Sequence, residues 1–205
     1  MSDYPYIIGI TGKAGAGKDT FAEYLRTAFN KRSIDTVIAW HATPIKKMLD
    51  ALYEYIGEES DWDDRAWKEL AEIMGITPRT AAQTLGTEWG REIFGPDIWS
   101  KIFLRVAKNA KRFWGRDVVI CPDVRFDNEC RNIDLVGGVI VKIHRGEQDA
   151  NFRGGDHSSE AGVSSGYITY HVENEASLEE LRNQAEALAK HLEGKVCRQT
   201  TSYTS

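Results

Sequence analysis

The chain has 205 residues, 41% hydrophobic and 28% charged, the ordinary balance of a soluble protein with one sizeable core. Its formal net charge of -5 gives long anionic polymers no global attraction, so nucleic acid is set aside as a partner, while a local basic pocket for one small phosphorylated ligand stays open. Three scattered cysteines, Cys121, Cys130 and Cys197, make neither a disulfide framework nor the paired Cys/His spacing of a zinc site, and they fit a reducing compartment.

The opening MSDYPYIIGITGKAG has no basic leader, and no apolar run approaches the roughly 20 residues that a bilayer requires, so the expected location is the cytoplasm, away from membranes. Tyr6 to Ile10 is a short β-branched run stopped by glycines, as in a strand buried on both faces. From Lys18, the residues Phe21, Tyr24, Leu25, Ala28 and Phe29 recur at three and four and predict an amphipathic helix. Thr36 to Trp40 reads as a second strand, and Pro44 opens a helix through Ile45, Met48, Leu49, Leu52 and Tyr53.

Asp63 to Met74 reads as a charged helix, Thr77 and Pro78 as an N-cap and first-turn pair, and Ile98 to Val106 as a further amphipathic helix; no strand is expected in this stretch. Val118 to Cys121 and Val139 to Ile143 are again continuous apolar runs, separated by a helix that stops at Gly137 and Gly138. His144 to Gly162 is polar and glycine-bearing, either a lid or a solvated loop. Tyr167 to Val172 reads as a fifth strand, Ser177 with Glu180 as a capping box, and KVCRQTTSYTS as a frayed tail. Strand and helix alternate, which predicts an α/β fold: a parallel sheet of about five strands with helices on both faces and the ligand at the strands' C-terminal ends.

The stretch GKAGAGKDT carries the chemistry. Gly12, Gly15 and Gly17 let the backbone turn its N–H groups toward a phosphate, and Lys18 at a helix start adds positive charge, in the spacing Gly12-x4-Gly17-Lys18 of a P-loop. Asp19 stands where that pattern asks for Ser or Thr. Two unit charges about 4 Å apart interact by about 4 kcal/mol at an effective dielectric near 20, so an unscreened acid would repel a triphosphate. A magnesium ion between them reverses the sign, with Asp19 bound directly or through water and Thr20 nearby; alternatively Asp19 favours its helix N-terminus. A second acid, Asp123, follows a buried strand in VVICPDVRFDNE, where a Walker B carboxylate holds metal. Arg125 can stabilise a transferring phosphoryl group or pair with Asp123, Asp127 or Glu129.

Taken together, GKAGAGKDT, ATPIKKML, PRTAAQTLGTEWGREIFGPDIWSKIF, PDVRFDNE, DHSSEAG and VENEASLEEL resemble the deoxynucleoside monophosphate kinases of tailed bacteriophages, from about Ile7 to Leu192. The resemblance implies an adenylate-kinase-like P-loop NTPase three-layer sandwich, made by residues 1–195, with a helical acceptor-binding region at about 42–114, a lid at about 144–162 and a flexible tail at 196–205. It implies transfer of the γ-phosphoryl of ATP to a deoxynucleoside monophosphate with Mg2+, in a bacterial host's cytoplasm, by an enzyme whose relatives are commonly dimers. P-loops of that family also read Gly-Lys-Asp-Thr.

By the same resemblance, Gly12, Ala14, Gly15, Ala16, Gly17, Lys18, Asp19, Thr20, Arg145 and Arg153 meet ATP. The acceptor falls to Ile45, Lys46, Arg79, Gln83, Gly86, Thr87, Arg91 and Trp99, with Asp123, Arg125 and Glu129 bordering the reaction centre. Lys18, Asp123 and Arg125 are the catalytic candidates, and Asp19, Thr20 and Asp123 the metal candidates. Lys46 and Arg79 suit a monophosphate, Gln83 suits a base edge, and Trp99 either walls the pocket or sits in a core. His157 and Glu160 match a family signature without a catalytic role. Two rival readings stay open: another small-molecule kinase resembling the animal phosphomevalonate kinases, and a regulatory module that binds a nucleotide and transfers nothing.

Overall fold

The structure, a computed structural model, describes residues 3–70, 72–73, 75–146 and 163–200. The chain divides into two compact units, Met1–Trp40 with Ile102–Ser205, and His41–Lys101.

The first unit is built on a five-stranded sheet in the order β2-β3-β1-β4-β5. Its strands are β1 (Tyr6–Thr11), β2 (Thr36–Ile38), β3 (Val118–Cys121), β4 (Val139–His144) and β5 (Tyr170–Glu173), and every pairing is parallel. β1 is central, with Gly9 opposite Cys121 on one side and Ile140 on the other. All six of its residues are buried, which is why this run carries no alternation of polar and apolar residues.

Successive side chains of β1 serve opposite faces. Tyr6, Ile8 and Ile10 share a core with Phe21, Leu25 and Phe29 of α1 (Lys18–Asn30) and with Leu181, Leu188 and Leu192 of α8 (Leu178–Thr200). On the other face Ile7, Val119 and Ile140 meet Phe103, Ala107 and Ala110 of α6 (Ile98–Trp114) and Cys130 and Ile133 of α7 (Asp127–Leu135). Helices therefore cover both faces of a parallel sheet, the three-layer α/β arrangement expected from the alternation of apolar runs.

The second unit is helical: α2 (Thr43–Tyr55), α3 (Arg65–Leu70), α4 (Pro78–Thr84), a π-helical turn (Leu85–Arg91), α5 (Glu92–Phe94) and the first turn of α6. Pro44 lies in the first turn of α2, and Thr77 caps α4 by accepting from the Thr80 N–H at 3.2 Å. Tyr53, Trp62 and Trp67 make an aromatic cluster with ring centroids 5.3 to 6.4 Å apart.

Several boundaries differ from the expectations. β2 ends at Ile38 instead of Trp40, α3 covers only Arg65–Leu70 of the expected 63–74, and Tyr167 lies in a 3-10 turn, so β5 starts at Tyr170. The expected tail at 196–205 is helical as far as Thr200. Val196 extends the stripe of Leu181, Ala185 and Leu192 by another turn and is 1% exposed, and Gln199 donates to the Tyr4 and Pro5 carbonyls at 3.4 and 3.3 Å. The compact helical unit is also shorter than the expected 42–114, because from Ile102 onward α6 buries Phe103, Ala107 and Ala110 under the sheet.

Candidate active site

The glycine loop joins β1 to α1, at the C-terminal end of the central strand where ligands of open α/β sheets bind. Gly12, Gly15 and Gly17 have φ of 146°, 79° and 89°, values that side chains rarely tolerate. The Lys18 ammonium donates to the Gly12 carbonyl at 2.9 Å and the Lys13 carbonyl at 2.8 Å. Lys18 thus folds back over its own loop, holding a positive charge where the loop curls. Ala16 is buried, whereas Ala14 and Gly15 are exposed. Arg145, just past β4, donates to the Gly15 carbonyl at 2.8 Å, which joins this expected nucleotide-binding arginine to the loop.

Asp19 and Thr20 are exposed in the first turn of α1, where the helix dipole favours a carboxylate. The Trp40 indole N–H donates to one oxygen of Asp19 at 3.3 Å.

A second segment follows β3. The Val124 N–H donates to the Ile10 carbonyl at 3.2 Å and ties this turn to β1. Asp123 is partly buried and accepts from the Cys121 thiol at 3.2 Å. Burial, and then the Asp123 charge, push the Cys121 thiol well above its ordinary range, so it stays a donor. Glu129, expected beside the reaction centre, is 2% exposed, and its carboxylate accepts from the Arg125 and Phe126 N–H groups at 2.8 and 3.2 Å. These bonds order the turn that carries Arg125, whose exposed guanidinium has no partner among the described residues. Asp127 accepts from the Ser164 N–H at 2.8 Å and pairs with its hydroxyl, which holds the Asp127 carboxyl below its usual range.

The remaining candidates lie in the helical unit. Lys46 sits over the Trp62 ring, 5.6 Å from its centroid. Arg79 pairs through Nη2 with Glu69 at 3.0 Å, while its buried Nε–H has no acceptor among the described residues. Gln83 and Thr87 are half-buried and Gly86 is buried. Arg91 donates to the Pro96 carbonyl at 2.8 Å and so closes the loop after the π turn.

Trp99, expected to wall a pocket or sit in a core, is 3% exposed, and its indole N–H donates to the Gly86 carbonyl at 2.7 Å. Its ring lies against Gly90, where an added Cβ would fall 2.7 Å from Cε2 and 2.8 Å from Nε1. Trp99 therefore braces the π turn from a buried position. Ile45 is 9% exposed, and its Cδ1 would be 3.2 Å from a Cβ at Gly86, so it supports the same turn from α2. Arg153, His157, Glu160 and most of the expected lid lie outside the described residues.

Sequence reasoning missed Trp40, Glu69, Trp62 and Asn174. Asn174 follows β5 and donates to the Ala16 carbonyl at 2.9 Å. Trp40 and Asn174 each stand just past the end of a parallel strand, and that position was the available signal.

The family model for deoxynucleotide monophosphate kinase matches residues 75–185, more than half of the chain. A protein of Acanthamoeba polyphaga mimivirus named for that activity is 31% identical over 151 residues, covering 68% of this chain and 74% of its own. The chain belongs to the deoxynucleotide monophosphate kinase family. Another relative of the family member described here, the deoxynucleoside-5'-monophosphate kinase of Escherichia phage T5, is 33% identical over 106 residues, 48% of this chain and 40% of its own. Among solved structures, the crystal structure of APE1195 matches with a TM-score of 0.50 at 12% identity, over 93% of this chain and 97% of that one. The Mycobacterium tuberculosis APS kinase CysC in complex with AMPPNP and APS matches with a TM-score of 0.47 at 14% identity, over 93% and 98%. At its identity, the likeness to APE1195 bears on the fold alone. Among the described residues, no helix is long and apolar enough to cross a membrane.

Proposed function

We propose that this family member is a phosphotransferase that moves the γ-phosphoryl of ATP to a deoxynucleoside monophosphate, giving the diphosphate. The observation that carries the acceptor half of this reading is Arg79: a guanidinium with one arm on Glu69 and a buried Nε–H lacking an acceptor among the described residues is a donor prepared for an anion. The donor half rests on the glycine loop and Lys18, whose ammonium exchanges the Gly12 and Lys13 carbonyls for phosphate oxygens.

The reaction asks little covalent chemistry of the protein. Lys18 and the first N–H groups of α1 hold the triphosphate, and Arg79 and Lys46 neutralise the monophosphate. Arg125, presented by the turn that Glu129 orders, stabilises charge on the phosphoryl group as the acceptor's phosphate oxygen attacks in line. Arg145 leaves the Gly15 carbonyl to meet the nucleotide.

Asp19, Thr20 and Asp123 are hard oxygen donors of the kind magnesium prefers. The bond from Trp40 engages only one oxygen of Asp19, so the residues fit a metal held directly or through water. Bound there, magnesium supplies neutralisation of the phosphate charge. The proposed setting is the cytoplasm, with small nucleotides as partners and a homodimer as the assembly.

The test is incubation with ATP, magnesium and each monophosphate in turn, resolving diphosphate products, with mevalonate phosphate as control. The reading requires a nucleoside diphosphate product that is lost in Lys18→Ala and Arg79→Ala. Phosphorylation of mevalonate phosphate instead, or nucleotide binding without transfer, overturns it.

A further inference from the structure

We infer that Asn174 is a positioning residue for the phosphate loop, aiming the Gly17 N–H at the donor nucleotide; this rests on the reading of residues 12–20 as the ATP-binding loop. Asn174 is the first residue past β5, and its backbone N–H donates to the His144 carbonyl at 2.7 Å, which fixes it to the end of β4. From this anchored position its side-chain amide donates to the Ala16 carbonyl at 2.9 Å. The contact spans 158 residues of sequence, so nothing local to the loop supplies it.

The peptide joining Ala16 to Gly17 is planar and trans, so its C=O and N–H point to opposite sides. Drawing the Ala16 oxygen toward Asn174 turns the Gly17 N–H the other way. That N–H stands at the start of α1, where the first N–H groups of a helix have no intrahelical acceptor and are available to an anion. The neighbouring Ala16 N–H is engaged by the Lys13 carbonyl at 3.2 Å, so the Gly17 donor is the one that this bond sets.

Gly17 is shaped by the same contact. Its φ of 89° belongs to the left-handed region, and a Cβ there would fall 2.5 Å from the Asn174 nitrogen. The bare Cα at position 17 and the amide at position 174 are therefore two halves of one device. A loop whose peptide is already turned binds phosphate without reorganising, and losing that preorganisation appears as weaker affinity for the donor nucleotide.

The test measures the affinity of Asn174→Ala and Asn174→Asp for a non-hydrolysable ATP analogue with magnesium by titration calorimetry, and separately their affinity for the monophosphate. Asn174→Ala is expected to bind the analogue about tenfold more weakly, the size of one well-made hydrogen bond, and to keep monophosphate affinity within about twofold. Asn174→Asp keeps the volume but offers Ala16 an acceptor in place of a donor, and is expected to lose more than Asn174→Ala. Unchanged analogue affinity in both variants overturns the inference, as does an equal loss for both nucleotides, the result of general loosening. Because analogue binding needs no phosphoryl transfer, a protein that phosphorylates no monophosphate yet loses analogue affinity in Asn174→Ala would sink the kinase reading and leave the role of Asn174 standing.

Discussion

Substituting Gly90 by alanine probes the π turn at its tightest point. The added Cβ would lie 2.7 Å from Trp99 Cε2 and 2.8 Å from Nε1, with Cζ2 nearer still. An ordinary carbon contact needs about 3.5 Å, so the indole must withdraw by about 1 Å. Its hydrogen bond to the Gly86 carbonyl, now 2.7 Å, would stretch beyond bonding range. Overpacking costs about 1–3 kcal/mol and the lost buried bond about 1 kcal/mol, against a helix-propensity gain of at most about 1 kcal/mol for replacing glycine. Strain wins, by about 1–3 kcal/mol. For a chain of this length that lowers the melting temperature by roughly 2–12 °C, readable by calorimetry. The acceptor's KM should rise while the KM of ATP stays within about twofold, because Gly86, Thr87 and Arg91 all belong to that turn. In a Trp99→Phe background the smaller ring leaves room, and the two substitutions should couple by about 1 kcal/mol. An unchanged or raised melting temperature in Gly90→Ala would refute the packing argument.

Replacing Arg79 with lysine keeps the charge but loses the planar fork and the Nε donor, so the acceptor's KM should rise roughly 10- to 100-fold with the ATP KM unchanged, measured by steady-state kinetics. Glu129→Gln keeps the shape but weakens the charge-assisted bonds to Arg125 and Phe126; a loss of about 1–2 kcal/mol in denaturant titration should accompany a fall in kcat. Burial, and then the Glu129 charge, push the Cys130 thiol to about 12, and Cys121 is also raised. The unfolded chain ionises these thiols near their ordinary value of about 8.5, so the Cys130 contribution to stability is complete below that pH and is lost as pH climbs toward about 12, with Cys121 acting in the same direction. Urea unfolding should show lower stability at pH 10.5 than at pH 8, and iodoacetamide at pH 8.5 should label the exposed Cys197 first.

The sheet was legible because β1 and β3 are buried along their whole length, and β4 over Val139–Val141, so these stretches are written as apolar runs. The loop was legible because Gly12, Gly15 and Gly17 hold positive φ values that other residues rarely adopt, at a spacing that ends on Lys18. β5 was misplaced because Tyr167 is as good a strand residue as Tyr170, and only the 3-10 turn at Ser165–Tyr167 separates them. The π turn was missed because LGTEWGR follows a helical pattern, and its extra residue shows in the backbone bonding, as in the bond from the Glu92 N–H back five residues to the Thr87 carbonyl. The bonds from Trp40 to Asp19 and from Asn174 to Ala16 join residues distant in the chain, and no local spacing announces them.

The place of β1 between β3 and β4 also governs when the protein can mature. As translation proceeds, the earliest strand has no edge to lie against until residue 121 has emerged, and α1 meets its neighbour α8 only after residue 178. The glycine loop is thus made well before the strands and the helix that give it its final shape. A slow folding rate and a long exposure to chaperones are the expected price of such a centre-first topology.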